Sequence, residues 1–428
     1  MKFTYLHPRD EIIEIIKRIY QNGMTTTSGG NLSIKDDDGS IWITPKGVDK
    51  GTLTPADIVR VTADGVVDGV HEPSSEYPFH LAVYTARPDI KAIVHAHPPA
   101  LVSFAITRNV PDTRIMPKAR EICGRVGYAK YALPGSGALG DVIAQTFTEG
   151  HDTVLMENHG IVTVGNNLMH AFHRLETLDF CARLTLKANI LGSVSVLGAE
   201  ELKQLRLRVL PEEFVPETHT SVEKALRKEM ITLIKRCYAQ KLMTSTEGTF
   251  SARVDSRSFI ITPFGLDRNY LTEEDLVLVR DGMREAGKEP SQSVRLHREL
   301  YEKHPGVNAV LIAQPPNILA FGVSEAEFDT RTIPESYLVL RTIQKLPYGA
   351  AFGDDGPSEL VGRISEKTPV VICRNNCVVV MGSSLLQSYD RLEVAEFSAK
   401  AIIASKAIGN VVPIGDAEID ELEEAFDL

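Results

Sequence analysis

The stretch Ala92-Ile-Val-His-Ala-His-Pro-Pro99 decides how this chain folds and where its chemistry lies. Its apolar start predicts a buried strand, which the two prolines end. Side chains alternate between the two faces of a strand, so His95 and His97 are expected to project side by side from one strand end. The alternative is that both are ordinary polar residues at a strand end, and the rest of the chain must decide between the two.

The second half of the chain repeats the first. Ala92–Pro99 returns as Ala309-Val-Leu-Ile-Ala-Gln-Pro-Pro316. Three further pairs occur in the same order at nearly the same offset: Ile43-Thr-Pro-Lys-Gly-Val-Asp49 with Ile261-Thr-Pro-Phe-Gly-Leu-Asp267, Leu53-Thr-Pro-Ala-Asp-Ile-Val59 with Leu271-Thr-Glu-Glu-Asp-Leu-Val277, and Glu72-Pro-Ser74 with Glu289-Pro-Ser291. Such collinear matches predict two copies of one fold.

Each copy is predicted to be an α/β domain, because strands alternate with helices along it. Amphipathic helices are expected over residues 12–20 and 230–237, and further helices over 137–148 and 168–191. A segment at 209–219, with two prolines and three acidic residues, is typical of a linker. The predicted domains are therefore residues 1–208 and 219–428.

Composition excludes several classes of protein. The formal net charge of −11 argues against a nucleic-acid partner, which needs a basic surface. No apolar run is long enough to span a membrane, and the first ten residues lack the apolar core of a signal peptide. The five cysteines are scattered and odd in number, which argues against a disulfide framework. A cytoplasmic protein without membrane contact is expected.

A third histidine completes a set of metal ligands. His159 lies in Glu157-Asn-His-Gly160, between two further apolar runs that predict a strand pair. Three neutral imidazoles with one open position form the ligand set of a catalytic zinc or a similar divalent metal. The sequence therefore predicts a metal site at His95, His97 and His159.

The repeat serves as an internal control on this prediction. The candidate ligands and a nearby carboxylate, Glu76, are all absent from the second copy, where the corresponding residues are Ile312 for His95, Gln314 for His97, Asn376 for His159 and Ser293 for Glu76. Histidines that only maintained the fold would have no reason to disappear as a set. By contrast, His80 matches His297, and this pair is expected to be structural.

Loops of small residues near the candidate ligands are suited to binding an anion. Thr26-Thr-Ser-Gly-Gly-Asn31, Thr44-Pro-Lys-Gly47 and the helix start at Ser74 and Ser75 offer hydroxyls and free backbone N–H groups. Each could also be only a turn or a helix cap. Glu76 follows directly and could act as general base and then general acid. Metal, base and anion site together favour carbon–carbon cleavage or proton abstraction next to a carbonyl.

These motifs resemble the class II aldolase/adducin family. The resemblance rests on motifs that occur in the family's order and cover most of residues 8–195: Ser28-Gly-Gly-Asn-Leu-Ser33, Thr44-Pro-Lys-Gly47, Pro73-Ser-Ser-Glu76, His95-Ala-His97 and Asn158-His-Gly160. It implies a three-layer α/β/α domain with a central, largely antiparallel sheet, here duplicated in tandem. The second copy resembles a domain of this family whose site has been dismantled.

The resemblance also implies roles for individual residues. It implies that His95, His97 and His159 hold Zn²⁺, or another divalent metal such as Mn²⁺, Co²⁺ or Fe²⁺, and that Glu76 is the catalytic acid/base. It further implies a phosphate site, formed by Asn31, Gly47, Ser74 and Ser75. In the second copy Thr249 replaces Asn31 and Gln292 replaces Ser75, whereas Gly265 and Ser291 remain.

Single-domain members of the family form rings of four with sites between neighbours. A homodimer of this two-copy chain is therefore expected to form a pseudo-tetrameric ring. In a family aldolase a tyrosine from the adjacent subunit completes the site, and Tyr337 in Ile333-Pro-Glu-Ser-Tyr-Leu338 lies close to that position. A partly buried helix tyrosine without such a role is the competing interpretation.

The function implied is a zinc-dependent lyase that cleaves a small ketose phosphate into dihydroxyacetone phosphate and an aldehyde. The same metal site would also serve a sugar-phosphate 4-epimerase, a dehydratase or a decarboxylase, and the sequence does not separate these. A non-enzymatic alternative is a scaffold module of the adducin type. The intact ligand set and Glu76 of the first copy argue against that alternative.

Overall fold

The computed structural model describes residues 6–203, 210–352 and 357–427. It divides into two compact units, Met1–Arg183 and Leu184–Leu428. Val209, at the start of the predicted linker, lies outside the described residues, and the domain boundaries at 208 and 219 stay predictions. None of the helices in the described ranges combines the length and the apolar character needed to cross a bilayer.

The first unit contains eight strands and six α-helices within its described residues, and the last α-helix continues into the second unit. The strands are β1 Asn31–Lys35, β2 Ile41–Ile43, β3 Val59–Val61, β4 Val67–Asp68, β5 Ala92–Ala96, β6 Val126–Ala129, β7 Thr153–Met156 and β8 Ile161–Gly165. The helices are α1 Pro8–Gln21, α2 Tyr77–Ala86, α3 Pro99–Thr107, α4 Pro117–Cys123, α5 Gly137–Thr148 and α6 Leu168–Leu191.

These strands form one sheet in the order β4-β3-β2-β1-β5-β8-β7-β6. All neighbours are antiparallel except β6 and β7. Helices α1, α3 and α6 cover one face, and α2 and α5 cover the other. The predicted three-layer architecture with a largely antiparallel sheet is therefore confirmed.

Local sequence explains why α1 begins and how it packs. Pro8 occupies the first turn, where no backbone donor is needed, and the ring of His7 accepts a hydrogen bond from the N–H of Arg9 at 3.2 Å. Ile12, Ile16 and Ile19 then recur on one side at helical spacing and are fully buried. Burial of this apolar stripe fixes the helix against the sheet.

The second unit contains nine strands and eight α-helices within its described residues, apart from the end of α6. The strands are β9 Glu213–Phe214, β10 Thr249–Arg253, β11 Ser258–Ile261, β12 Val277–Arg280, β13 Met283–Glu285, β14 Ala309–Ala313, β15 Ile343–Leu346, β16 Val370–Cys373 and β17 Cys377–Gly382. The helices are α7 Ala199–Lys203, α8 Ser221–Ala239, α9 Val294–Lys303, α10 Pro316–Gly322, α11 Pro334–Leu340, α12 Ser358–Arg363, α13 Leu385–Ser405 and α14 Asp416–Ala425.

The sheet of the second unit repeats that of the first. Its order is β15-β16-β17-β14-β10-β11-β12-β13-β9, which is the first order read in reverse with β9 added at one edge. Helices α9 and α12 share a core with one face. Helices α8, α10 and α13 contact strands β10, β14, β16 and β17. The duplication predicted from sequence is therefore present as two copies of one topology.

Candidate metal centre

His95 is held at the middle of the sheet of the first unit. It lies on β5, and its Cα pairs with Asn31 on β1 and with Val162 on β8. Its Nδ1 is 2.9 Å from the carbonyl oxygen of Ile161. That oxygen can only accept, so Nδ1 carries the proton and Nε2 is left as the ligand atom.

His97 and His159 reach the same place from two different loops. The backbone N–H of His97 donates to the carbonyl of Met24 at 3.0 Å, which fixes the chain just beyond β5. His159 lies in the turn between β7 and β8, where Asn158 adopts a left-handed φ of 55°. A short turn thus brings the third imidazole back over the end of β5.

The three imidazoles converge. Their ring centroids are 4.6 Å apart for His95 and His97, 5.0 Å for His95 and His159, and 5.2 Å for His97 and His159. One nitrogen from each ring lies within 4.8 Å of the other two. Within the described residues, this is the one cluster of at least three His, Cys, Asp or Glu side chains with such spacing.

Two glycines leave the space that these rings need. A Cβ added at Gly160 would lie 2.5 Å from Cδ2 of His97 and 2.6 Å from the carbonyl oxygen of Ala96. A Cβ added at Gly29 would lie 2.7 Å from Nδ1 of His97. All three distances are shorter than atoms tolerate, so the ring of His97 can take this position only next to glycine.

Glu76 lies against this cluster at the start of α2. Its Oε2 is 3.2 Å from Nε2 of His95, and its Oε1 is 3.5 Å from Nε2 of His159. The side chain is buried, and Oε1 has no hydrogen-bond partner. The Nε2 atoms of His95 and His97 are also buried and are assigned no hydrogen bond. Buried nitrogen and oxygen atoms that have no hydrogen bond and lie close together fit the ligand set of a divalent cation.

A buried hydrogen-bond network extends from Glu76 to Tyr84. The carboxamide of Asn31 donates from Nδ2 to Oε2 of Glu76 at 2.7 Å, and its Oδ1 lies 2.5 Å from Nε2 of His80. His80 continues through Nδ1 to the hydroxyl of Ser33 at 2.7 Å, and Ser33 contacts the hydroxyl of Tyr84 at 2.8 Å. His80 thus uses both ring nitrogens within this network.

The titratable groups of the cluster differ in the direction in which their pKa values are shifted. Burial lowers the pKa of His97 to about 3 and that of His159 to about 4, with the charge of His95 adding to the effect. Burial opposes ionisation of Glu76 as well, yet the neighbouring His95 and the Asn31 amide hold its pKa well below the usual range. For His95, the same carboxylate outweighs burial and raises the pKa. His97 and His159 are thus neutral imidazoles beside a carboxylate, and unprotonated nitrogens of this kind are what metal binding requires.

Three of the four residues predicted for the phosphate site, Gly47, Ser74 and Ser75, lie in adjacent loops, and Asn31 begins β1. The N–H of Ser74 donates to the carbonyl of Thr44, and Pro45 forms a bridge with Pro73. Gly47 and Ser75 are exposed, whereas Ser74 is buried and its hydroxyl accepts from the N–H of Glu76 at 3.3 Å. Asn31, the fourth residue of the predicted set, is engaged with Glu76 and His80.

Tyr337 lies in the second unit on α11. Its hydroxyl donates to Oε1 of Glu423 on α14 at 2.5 Å. The hydrogen bond to that carboxylate, more than burial, raises the pKa of Tyr337. The contribution of Tyr337 to a site in a neighbouring subunit stays a prediction.

Sequence reasoning missed two supporting residues. The first is Asn31 as a partner of Glu76, because the two residues are 45 positions apart and only the β1–α2 packing joins them. The second is Lys50, whose buried ammonium donates to the carbonyls of Pro45 at 3.0 Å and Val48 at 3.2 Å and so braces the turn that carries Gly47. A buried lysine among turn residues gives no distinctive sequence signal.

The two sheets share one strand order apart from β9 and define a duplicated α/β/α protein, whose first unit carries a histidine cluster that could hold a metal ion. The pattern of the family described as "Class II Aldolase and Adducin N-terminal domain" matches residues 10–186 and again 228–403. The chain therefore belongs to the class II aldolase/adducin family, with two tandem domains.

Known relatives include enzymes of more than one activity. L-fuculose phosphate aldolase of Methanocaldococcus jannaschii is 34% identical over 42% of this chain and 95% of its own length. The 5-deoxy-D-ribulose 1-phosphate aldolase of Bacillus thuringiensis is 30% identical over 46% of this chain and 92% of its length. A 3-oxo-tetronate 4-phosphate decarboxylase of Escherichia coli is 32% identical over 46% of this chain and 94% of its own length. Each relative thus corresponds to less than half of this chain.

Proposed function

We propose that this chain is a divalent-metal-dependent lyase that cleaves a carbon–carbon bond in a small ketose phosphate. The single observation that carries the proposal is the convergence of His95, His97 and His159 beside the buried carboxylate of Glu76. The product expected from the phosphate end is dihydroxyacetone phosphate, and the other product is an aldehyde. Zn²⁺ is the expected metal, with Mn²⁺, Co²⁺ or Fe²⁺ as substitutes.

The residues present fit such a metal. His95 presents Nε2 because Nδ1 is bound to Ile161, and His97 and His159 are held neutral by burial. A divalent cation bound by these three residues would polarise a substrate carbonyl and stabilise negative charge that develops on its oxygen. This is the chemistry that both aldol cleavage and its reversal require.

Glu76 is the residue proposed to move the proton. In cleavage, a base must remove the proton of the hydroxyl on one carbon of the breaking bond. An acid must then give a proton to the other carbon of that bond, which lies next to the carbonyl in the phosphate-bearing fragment. Glu76 can do both, because Asn31 holds Oε2 while Oε1 accepts no hydrogen bond from the protein. Its low pKa favours the carboxylate form at neutral pH, which is the form needed for the first step.

The loops at 44–47 and 72–75 are proposed to hold the phosphate. Hydrogen bonds from the N–H of Lys46 to the carbonyl of Glu72 and from the N–H of Ser74 to the carbonyl of Thr44 join the two loops, which carry the exposed Gly47 and Ser75. Backbone N–H groups at a turn and at a helix start bind phosphate without a full positive charge. Ser74 supports the loop from its buried side.

Decarboxylation is the second candidate function. It is favoured by the relatives that are 3-oxo-tetronate 4-phosphate decarboxylases. Loss of CO₂ from a 3-oxo acid and aldol cleavage both leave negative charge conjugated with a carbonyl, so one site can stabilise both transition states. The two reactions differ in whether a proton must be removed from a hydroxyl, and hence in how much they depend on Glu76.

One experiment separates these functions. The purified full-length chain, loaded with Zn²⁺, is incubated with a panel of ketose 1-phosphates and with a 3-oxo-tetronate 4-phosphate, and the products are identified by mass spectrometry and ¹³C NMR. Release of an aldehyde with dihydroxyacetone phosphate supports the lyase proposal. Release of CO₂ alone supports the second candidate. If neither product forms although Zn²⁺ is bound, both proposals are wrong.

The pseudo-tetrameric ring of two chains is a further proposal carried from the family resemblance. The molecular mass in solution, measured by light scattering, tests it: about twice the chain mass supports the ring, and a monomer excludes it.

A further inference from the structure

The second unit retains a polar cluster where the first unit has its metal centre. Ile312 on β14 pairs with Thr249 on β10, as His95 pairs with Asn31. The N–H of Gln314 donates to the carbonyl of Leu242 at 3.0 Å, which repeats the anchor of His97. Gln314 and Asn376 therefore occupy the places of two of the histidines.

Several side chains of this cluster are buried with unsatisfied polar atoms. The Oε1 of Gln314, the Nδ2 of Asn376 and the Nε2 of His297 have no hydrogen-bond partner, although the three residues are 3%, 4% and 0% exposed. A buried polar atom without a partner costs stability, so native proteins seldom keep one without a reason. In the first unit the same condition marks His95, His97 and Glu76, the proposed site itself.

Hydroxyl groups continue the cluster towards the surface. The hydroxyl of Thr249 lies 2.8 Å from that of Ser291, which lies 3.1 Å from that of Ser293. Ser293 is partly exposed and takes the place of Glu76. The chain of hydroxyls thus runs from the buried Thr249 to the partly exposed Ser293 at the start of α9.

The charges of the second cluster do not suit a phosphate or a catalytic metal. Phe264 replaces Lys46, and the guanidinium of buried Arg268 is engaged by the carbonyls of Gly248 and Leu266. Glu247 stands where the first unit has Gly29, whose position adjoins the ring of His97. A carboxylate there would repel a phosphate. Neither the amide N–H group of Asn376 nor the aliphatic side chain of Ile312 can serve as a ligand of a zinc ion.

We propose that the second unit binds an unphosphorylated polyhydroxy compound of three to five carbons, a polyol or free sugar, at Gln314, Asn376, His297, Ser293 and Glu247. Alcohol groups both donate and accept hydrogen bonds, and this mixture of carboxamide, imidazole, hydroxyl and carboxylate groups matches them. His297 suits the role as a neutral ring, because burial lowers its pKa to about 3. The proposal does not depend on the function of the first unit.

Calorimetric titration of the full-length chain tests this proposal. The protein is stripped of metal with a chelator and titrated with glycerol, erythritol, ribitol, xylitol and D-ribose. We expect saturable binding of at least one of these at about one site per chain, and weaker binding of ribitol 5-phosphate. Gln314→Met has nearly the same shape but lacks the free oxygen, and it should weaken binding at least about tenfold. His97→Met, the matched change in the first unit, should leave binding unchanged.

Thermal unfolding of Gln314→Met provides an independent readout. If Oε1 is kept for a ligand and not for the fold, its removal should leave the unfolding temperature of the ligand-free protein unchanged or higher. The proposal is overturned if no compound of the panel binds, if binding is lost in His97→Met but not in Gln314→Met, or if Gln314→Met unfolds at a markedly lower temperature without ligand.

Discussion

The carboxamide of Asn31 donates a hydrogen bond of 2.7 Å to the carboxylate of Glu76, and its oxygen lies 2.5 Å from the ring of His80. This places Asn31 between a buried histidine network and the proposed acid/base. The family resemblance implies a different role for Asn31, in binding phosphate. Kinetics can separate the two roles.

Asn31→Ala is expected to lower kcat more than it raises KM. Without the amide, Oε2 of Glu76 loses its donor and the carboxylate loses its fixed position, so proton transfer should slow by roughly 10²-fold. Steady-state kinetics with the best ketose phosphate of the panel measures both constants. A rise in KM with unchanged kcat would show that Asn31 acts on the phosphate instead. Thr249→Ala, the matched change in the second unit, should alter neither constant.

Glu76→Gln is expected to abolish most of the activity and to leave the metal bound. The amide keeps the shape of the side chain and a donor-acceptor pair for Asn31, but it cannot take up a proton, so kcat should fall by about 10²–10⁴-fold. Metal content and kcat are measured on the same preparation. A variant that retains more than about a tenth of the wild-type kcat for aldehyde release would remove Glu76 from its proposed role.

Gly160→Ala is expected to disturb the histidine cluster directly. The new methyl group would lie 2.5 Å from the ring of His97 and 2.6 Å from the carbonyl oxygen of Ala96, so either the ring or the turn must move. Overpacking of this kind costs about 1–3 kcal/mol, and metal affinity should fall with it. Zinc affinity is measured with a competing chelator. Gly137→Ala, where a Cβ meets nothing within 4 Å, serves as the control and should bind zinc as the wild type does.

The stability of the second unit is expected to depend on pH through Glu396. This carboxyl group on α13 is buried, and although it accepts hydrogen bonds from the N–H groups of Asn317 and Ile318 at 2.9 Å, burial raises its pKa to about 7. Between its ordinary pKa of 4.5 and about 7, the folded chain holds a proton that the unfolded chain releases. The free energy of unfolding should therefore fall as pH rises through this window, by at most about 3 kcal/mol.

Urea unfolding at pH 5 and pH 8 measures this dependence. Glu396→Gln has no ionisable group at this position and should show a smaller loss of stability between the two pH values than the wild type. Glu424→Gln, a change at an exposed carboxylate of α14, should behave like the wild type. Parallel pH dependence in the wild type and Glu396→Gln would contradict the assignment.

Much of the fold could be predicted because its signals are local or repeated. The alternation of side chains in β5 predicts that His95 and His97 share a face, and the collinear motifs predict a second copy with the same sheet order. The long helix expected over 168–191 and the helix over 137–148 are present with those bounds. Each of these features depends on residues close together in the chain or on comparison of the two halves.

The connections behind the site could not be predicted in this way. Asn31 and Glu76 meet only because β1 packs beside the start of α2. Along the chain, Asn31 lies 45 positions from Glu76 and 49 positions from His80. The need for glycine at position 160 arises from the ring of His97, which reaches it through a different loop. Such contacts depend on tertiary packing, which leaves no periodic mark in the sequence.

The central claim is that His95, His97 and His159 bind one divalent metal, and that the second unit binds none. The most direct test is the metal content of the full-length chain, purified without chelators and measured by inductively coupled plasma mass spectrometry for the wild type, His159→Ala and Asn376→Ala. We expect about one zinc or equivalent divalent ion per chain in the wild type and in Asn376→Ala, and almost none in His159→Ala. A wild type without metal after incubation with Zn²⁺, or a His159→Ala variant that retains the full amount, would contradict the claim.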